Sequence, residues 1–116
     1  MYDSLTGNVA RFIKKLPVSA TQITADMQMS EAFILMTYTT GLGKIPEVTT
    51  LFLKTNHHLL RGVAASGNRN FGTYFAVSAD QISKYYQVPI LLKFELSGTP
   101  TDVLNFMEGL SKIEAH

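Results

Sequence analysis

Short, nearly continuous apolar runs alternate along this chain with segments whose apolar residues recur at helical spacing. That alternation constrains the fold more than any other feature. It marks an α/β arrangement with a parallel sheet, because strands covered by helices on both faces lose the one-in-one-out pattern of half-exposed strands. The runs are Ala32-Phe33-Ile34-Leu35-Met36, Gly62-Val63-Ala64-Ala65 and Pro89-Ile90-Leu91-Leu92-Lys93-Phe94, with a weaker one at Thr21-Gln22-Ile23. Between them, Val9, Phe12, Ile13 and Leu16 share one helical face, as do Val48, Leu51 and Phe52. Phe75, Ala79, Ile82 and Tyr86 share another, and Val103, Phe106, Met107 and Leu110 a fourth. Lys14 and Lys15 suit the end of the first helix, and Pro17 stops it. The last helix opens with Thr99-Pro100-Thr101-Asp102, which reads as an N-cap, a proline at the first helical position and an acid two residues later.

Composition narrows the possible chemistry. The 116 residues fit one domain, and 46% are apolar, enough for one core. Charged residues are 16%, below the roughly one quarter usual in globular chains, so much of the surface is neutral or covers a ligand or partner. The net charge of +1 gives no case for nucleic acid as partner. Lys54, His57, His58, Arg61 and Arg69 are too sparse for a phosphate-tracking stripe. With no cysteine, the chain has no disulfide, no thiolate nucleophile and no cysteine-held metal cluster, so redox chemistry requires a bound cofactor. The first residues lack a signal peptide's basic and apolar regions, and no apolar run approaches a membrane span, so a soluble cytoplasmic protein is expected.

Ligands of open parallel sheets sit beyond the carboxyl ends of the strands, where strand order reverses. Three loops here occupy such places. Asp3-Ser4-Leu5-Thr6-Gly7-Asn8 runs straight into a helix, and its hydroxyls, glycine and backbone donors suit a phosphate without the lysine of a P-loop. The same residues would also serve as an ordinary helix cap. Thr37-Tyr38-Thr39-Thr40-Gly41-Leu42-Gly43-Lys44-Ile45-Pro46 follows the most apolar strand, and its glycines allow backbone to approach a flat ligand. Ala65-Ser66-Gly67-Asn68-Arg69-Asn70-Phe71-Gly72 is dense in asparagine, whose amide offers both donors and acceptors to a heteroaromatic edge. Phe71 and Tyr74 could supply a stacking face. His57 and His58 have no third ligand at metal spacing, and Asp3, Asp80 and Asp102 form no recognisable acid pair.

Three stretches carry a family resemblance that runs over essentially the whole chain. They are residues 3–12 from Asp3 to Phe12, residues 61–72 from Arg61 to Gly72, and residues 88–99 from Val88 to Thr99. The first is shared with flavodoxins in general. The second and third resemble the NrdI flavoproteins. The resemblance implies a flavodoxin-like three-layer α/β sandwich spanning residues 1–116 as a single FMN-binding domain. Its five-stranded parallel sheet would have the order 2-1-3-4-5. Only Met1 and Tyr2 precede Asp3, so the first strand is expected to be very short, or the natural chain to start earlier.

The resemblance also implies a function. The cofactor would be non-covalent FMN and the partner NrdF, the small subunit of class Ib ribonucleotide reductase. A flavodoxin- or ferredoxin-type reductase would donate electrons. Reaction of the reduced protein with oxygen would yield superoxide or peroxide, used to assemble the dimanganese-tyrosyl radical cofactor of NrdF. Carried over by motif, Ser4, Thr6, Gly7 and Asn8 would hold the phosphate. Thr39, Thr40, Gly41, Leu42 and Gly43 would border the isoalloxazine, and Ser66, Gly67, Asn68, Phe71 and Gly72 would line its other side, with Phe71 as the stacking aromatic. Glu95-Leu96-Ser97-Gly98-Thr99 would shape the neighbouring rim. No metal site and no acid–base side chain is implied. The alternative is a plain flavodoxin electron carrier, although this chain is nearly neutral and flavodoxins tend to be acidic. A flavin-free receiver-like module is less well supported, because Asp3 alone does not make the required acidic cluster.

Overall fold

The computed structural model describes residues 1–40 and 43–114, with the side chains of Phe71 and Thr73 outside that description. The apolar runs form three strands, β1 (Phe33–Tyr38), β2 (Leu60–Gly67) and β3 (Ile90–Glu95), in the spatial order β1-β2-β3. All pairings are parallel, with Met36 opposite Ala64 and Ala64 opposite Leu92. The helical-period segments form α1 (Asn8–Lys14), α2 (Glu47–Asn56), α3 (Val77–Tyr86) and α4 (Pro100–Glu114). Two 3₁₀ turns, His57–Leu59 and Arg69–Tyr74, are the remaining helical segments among the described residues.

Both faces of the sheet are covered, which explains the continuous apolar runs. Phe33, Leu35, Val63 and Ala65 point to one side and pack with Phe52 and Leu53 of α2 and Ala79 and Ile82 of α3. Met36, Ala64 and Phe94 point to the other and pack with Val9 and Phe12 of α1 and Phe106 of α4. Phe12 anchors this second layer, stacked on Phe94 at 4.2 Å between ring centroids and meeting Phe106 edge-on at 6.3 Å. The result is a three-layer α/β/α sandwich. The start of α4 follows its sequence signature: the Thr99 amide donates to the Asp102 carboxylate at 2.8 Å, and the Asp102 amide donates to the Thr99 hydroxyl at 3.1 Å.

The expected five strands are three among the described residues. The segments expected as the first and second strands are reduced to single bridged residues: Tyr2 bridges Met36 on one side and Gln22 on the other, both parallel. The Asp3 amide donates to the Met36 carbonyl and the Ile23 amide to the Tyr2 carbonyl. The reason is local. Past Tyr2, the Asp3 amide still pairs with Met36, and the chain bends at residues 5–7 into α1, so the pairing stays a bridge and does not extend into a ladder. Among the described residues, no helix is long and apolar enough to cross a membrane.

Candidate functional site

The carboxyl ends of the strands and the loop after Tyr2 converge on a pocket of about 260 Å³. Ser4, Leu5, Thr6, Asn8 and Val9 supply one wall, Tyr38, Thr39 and Thr40 another, Ser66, Gly67 and Asn68 a third, and Leu96 closes the rim. Backbone stitching sets this convergence. The Thr39 amide donates to the Ser66 carbonyl at 3.2 Å, the Leu96 amide to the Gly67 carbonyl at 3.0 Å, and the Ser66 hydroxyl to the Leu96 carbonyl at 2.6 Å. Thr39 is further pinned to the start of α3, its hydroxyl donating to Ser78 Oγ at 2.8 Å. A larger cavity of about 690 Å³ lies at the opposite end of the sheet, between β3 and α4, lined by Arg61, Ile90, Leu91, Gly109 and Lys112 among others. No strand-end loops converge there, so size alone does not mark the ligand site.

Of the residues expected at the site, Ser4, Thr6, Asn8, Thr39, Thr40, Ser66, Gly67 and Asn68 line the pocket together. Gly7 lies in the same loop, at a φ of 90° that suits glycine and turns the chain into α1. Gly43 is buried away from the pocket lining, where its carbonyl accepts from the Gln81 side chain at 3.0 Å. Gly72 is exposed within the 3₁₀ turn and does not line the pocket. Gly41, Leu42 and the Phe71 side chain lie outside the described residues. Sequence reasoning did not single out Leu5, Val9 and Tyr38 as lining. Tyr38 had the clearest signal, an aromatic ring at the carboxyl end of the most apolar strand.

The phosphate-type loop carries no cation of its own, yet the structure brings one back to it. Arg11, one turn into α1, lies so close to Gly7 that a Cβ built on that glycine would be 2.8 Å from the guanidinium. Its Nε donates to the Ser97 hydroxyl at 2.9 Å, and its terminal nitrogen donates to the Asn8 side chain. Ser97 in turn donates to Asn8 Oδ1 at 2.9 Å, and Lys15 donates to the Ser97 and Gly98 carbonyls. The rim loop 95–99 is thereby fastened to the phosphate-type loop. Asp3 beneath it is 5% exposed. Burial, and then the Asp3 charge, raise the Tyr38 phenol above its usual pKa.

These donors fit a flavin mononucleotide. Hydroxyls and an asparagine amide gather around a glycine turn, and a gap between three strand ends is walled by an aromatic and aliphatic side chains. The volume lies just below the ~300–1,000 Å³ usual for small-molecule sites, as suits a ligand that is only partly enclosed.

Comparison with known proteins agrees with this architecture. Residues 1–108 match the family model described as NrdI Flavodoxin like. The Protein NrdI of Bacillus licheniformis is 52% identical over 114 residues, covering 97% of this chain and 87% of that protein. Among solved structures, a short-chain flavodoxin associated with a non-canonical PDU bacterial microcompartment aligns with a TM-score of 0.68 at 24% identity, covering 96% of this chain and 93% of that one. A flavodoxin from Streptococcus pneumonia TIGR4 aligns at 0.67 and 20% identity, covering 98% and 94%. At such identities these two show the fold alone, whereas the family match and the Bacillus relative show kinship. The chain belongs to the NrdI flavodoxin-like family, FMN-binding flavoproteins linked to ribonucleotide reductase.

Proposed function

We propose that residues 1–116 form a single cytoplasmic domain that holds FMN in the strand-end pocket. In this reading its reduced form supplies superoxide or peroxide to NrdF, the small subunit of class Ib ribonucleotide reductase, for assembly of the dimanganese-tyrosyl radical cofactor. The observation that carries the reading is the convergence of Ser4, Thr6, Asn8, Thr39, Ser66 and Asn68 on one pocket in a chain of this family. The bridges from Tyr2 to Gln22 and Met36 support the sheet order 2-1-3-4-5, with the pocket at its switch point.

When bound, FMN would supply the electron chemistry between a flavodoxin- or ferredoxin-type reductase and oxygen. The chain's own residues do the rest. Ser4, Thr6 and Asn8 offer hydroxyl and amide donors to the phosphate, backed by the Arg11 charge. Thr39 and Thr40 border the ring on one side, facing Ser66, Gly67 and Asn68 on the other. Val9 and Tyr38 line the inner side of the pocket, and the exposed Leu5 and Leu96 lie at its rim.

The test is a titration with FMN followed by absorbance and fluorescence, then anaerobic reduction and exposure to air. Quenched fluorescence, fast reoxidation and a tyrosyl radical signal in manganese-loaded NrdF are expected. Binding with slow, one-electron reoxidation and no radical would favour a plain electron carrier. A folded chain that binds no FMN overturns both.

A further inference from the structure

Asp3 is a buried carboxylate that the proposed function does not use. It takes part in none of the ion pairs among the described residues. Burying such a group is costly unless hydrogen bonds hold it. Its Oδ2 accepts from the Thr49 hydroxyl at 2.7 Å, and Thr49 Oγ1 lies 2.8 Å from Thr37 Oγ1. A threonine hydroxyl has one hydrogen. Thr49 gives its hydrogen to the carboxylate, so in the second contact Thr37 is the donor. The chain therefore runs one way, from Thr37 through Thr49 to Asp3, and ends on a charge, which makes its last link the strong one. Both threonines are fully buried, so water does not compete for these bonds.

The three residues come from three segments with distinct places at the pocket. Asp3 is the residue before Ser4, where the phosphate-type loop begins. Thr37 lies on β1, two residues before Thr39. Thr49 lies in the first turn of α2, just after the loop that borders the pocket. The entry and the exit of that loop are thus both tied to the root of the phosphate-type loop. A second tie closes the entry: the Thr40 and Lys44 backbones exchange hydrogen bonds at 2.9 and 2.8 Å.

We infer that Asp3, Thr49 and Thr37 are positioning residues that couple the two halves of the cofactor site, so that filling the phosphate loop sets the loop that meets the flavin ring. This rests on the FMN reading above. It predicts linkage between the two halves of the ligand, because a coupling between sites is reciprocal and measurable as a change in affinity.

Inorganic phosphate and riboflavin serve as the separated halves. In the wild-type protein, saturating phosphate is expected to raise riboflavin affinity about fivefold or more, the usual scale of such coupling. In Thr49→Val the enhancement is expected to fall to about onefold on the same scale, and in Thr49→Ser, which keeps the hydroxyl, to return. Should Thr49→Val not fold, Thr37→Val leaves the bond to Asp3 in place and is expected to lose the enhancement as well. A wild-type protein that binds FMN but shows no enhancement overturns the inference alone. So does a folded Thr49→Val or Thr37→Val that keeps the full enhancement. A folded wild-type protein that binds no FMN overturns the functional reading, and the inference with it.

Discussion

A Cβ placed on Gly67 would lie 2.5 Å from the backbone nitrogen of Ala76 and 2.9 Å from its Cα. The end of β2 and the start of α3 are therefore in backbone contact, with Ala76 fully buried at a positive φ of 47°. Neither partner can move as a flexible side chain would. Gly67→Ala is expected to cost about 1–3 kcal/mol, the range for overpacking a well-filled site. The loss should appear as a melting temperature lowered on the order of 5 °C for each kcal/mol. Because Gly67 also lines the pocket, FMN affinity should fall together with stability. A variant with an unchanged melt would show that the α3 start yields easily.

Phe12 belongs to the other face of the sheet and reports on its packing. It is fully buried, stacked on Phe94 and edge-on to Phe106. Phe12→Ala removes a ring whose aromatic neighbours come from β3 and α4 and cannot both close on the gap. A cost of about 3–5 kcal/mol is expected, a large share of a small domain's stability. Phe12→Leu should cost clearly less. Urea unfolding at equal protein concentration measures both, and equal midpoints for the two variants would contradict the packing account.

The loops of the candidate site were legible in the sequence because their signals are local. A glycine turn flanked by hydroxyls, or an asparagine-rich stretch after an apolar run, needs no partner to be seen. The capping residues Thr99 and Asp102 were legible for the same reason. What the sequence hid is what depends on distant partners. Arg11 reads as a surface residue of α1 until Ser97, 86 residues away, folds against it. Asp3 shows no partner along the chain, and Thr49, 46 residues on, supplies it. Val9 reads as an ordinary apolar helix position, since periodicity does not say which end of a core opens to a ligand, and within the candidate loops nothing local marks the Leu5 and Tyr38 side chains as lining. The five-strand expectation came from the family resemblance and not from periodicity; among the described residues three strands form, and Tyr2 meets Gln22 and Met36 only through single bridges.

Arg11 provides a direct test of how phosphate is held. Its guanidinium is exposed to solvent, and it braces Asn8 and Ser97 beside Gly7. Arg11→Met keeps the aliphatic stem and removes the charge and both hydrogen bonds. FMN affinity is expected to drop about three- to fivefold, the scale of an exposed charge contact. Riboflavin, which has no phosphate, should bind unchanged. Added salt should shrink the difference, since exposed charges are screened. Arg11→Lys should recover only part of the loss, because an ammonium cannot bridge Asn8 and Ser97 as a planar fork does. Equal losses for FMN and riboflavin would assign Arg11 a purely structural part.

Alkaline pH provides the last test, through two tyrosines. Tyr38 is raised above the ordinary value of 10.0 by burial and then by the Asp3 carboxylate. Tyr86 is raised by burial and then by Tyr85. In each case the folded protein holds the proton more tightly than the unfolded chain does. The unfolded state therefore binds fewer protons as pH climbs, and stability falls with pH in that range. The contribution is fully present below the ordinary tyrosine value and is lost as pH rises through the raised folded values. Urea midpoints measured on both sides of pH 10.0 should decline, and the decline should be shallower in Tyr38→Phe and shallowest in Tyr38→Phe with Tyr86→Phe. All other titratable groups are common to the three proteins, so the differences in slope isolate the phenols. Asp3→Asn removes the second cause at Tyr38 alone. It should lower that phenol's titration point, read as tyrosinate absorbance, while leaving Tyr86 where it was. Parallel slopes in all three proteins would mean that neither phenol is held neutral by the fold.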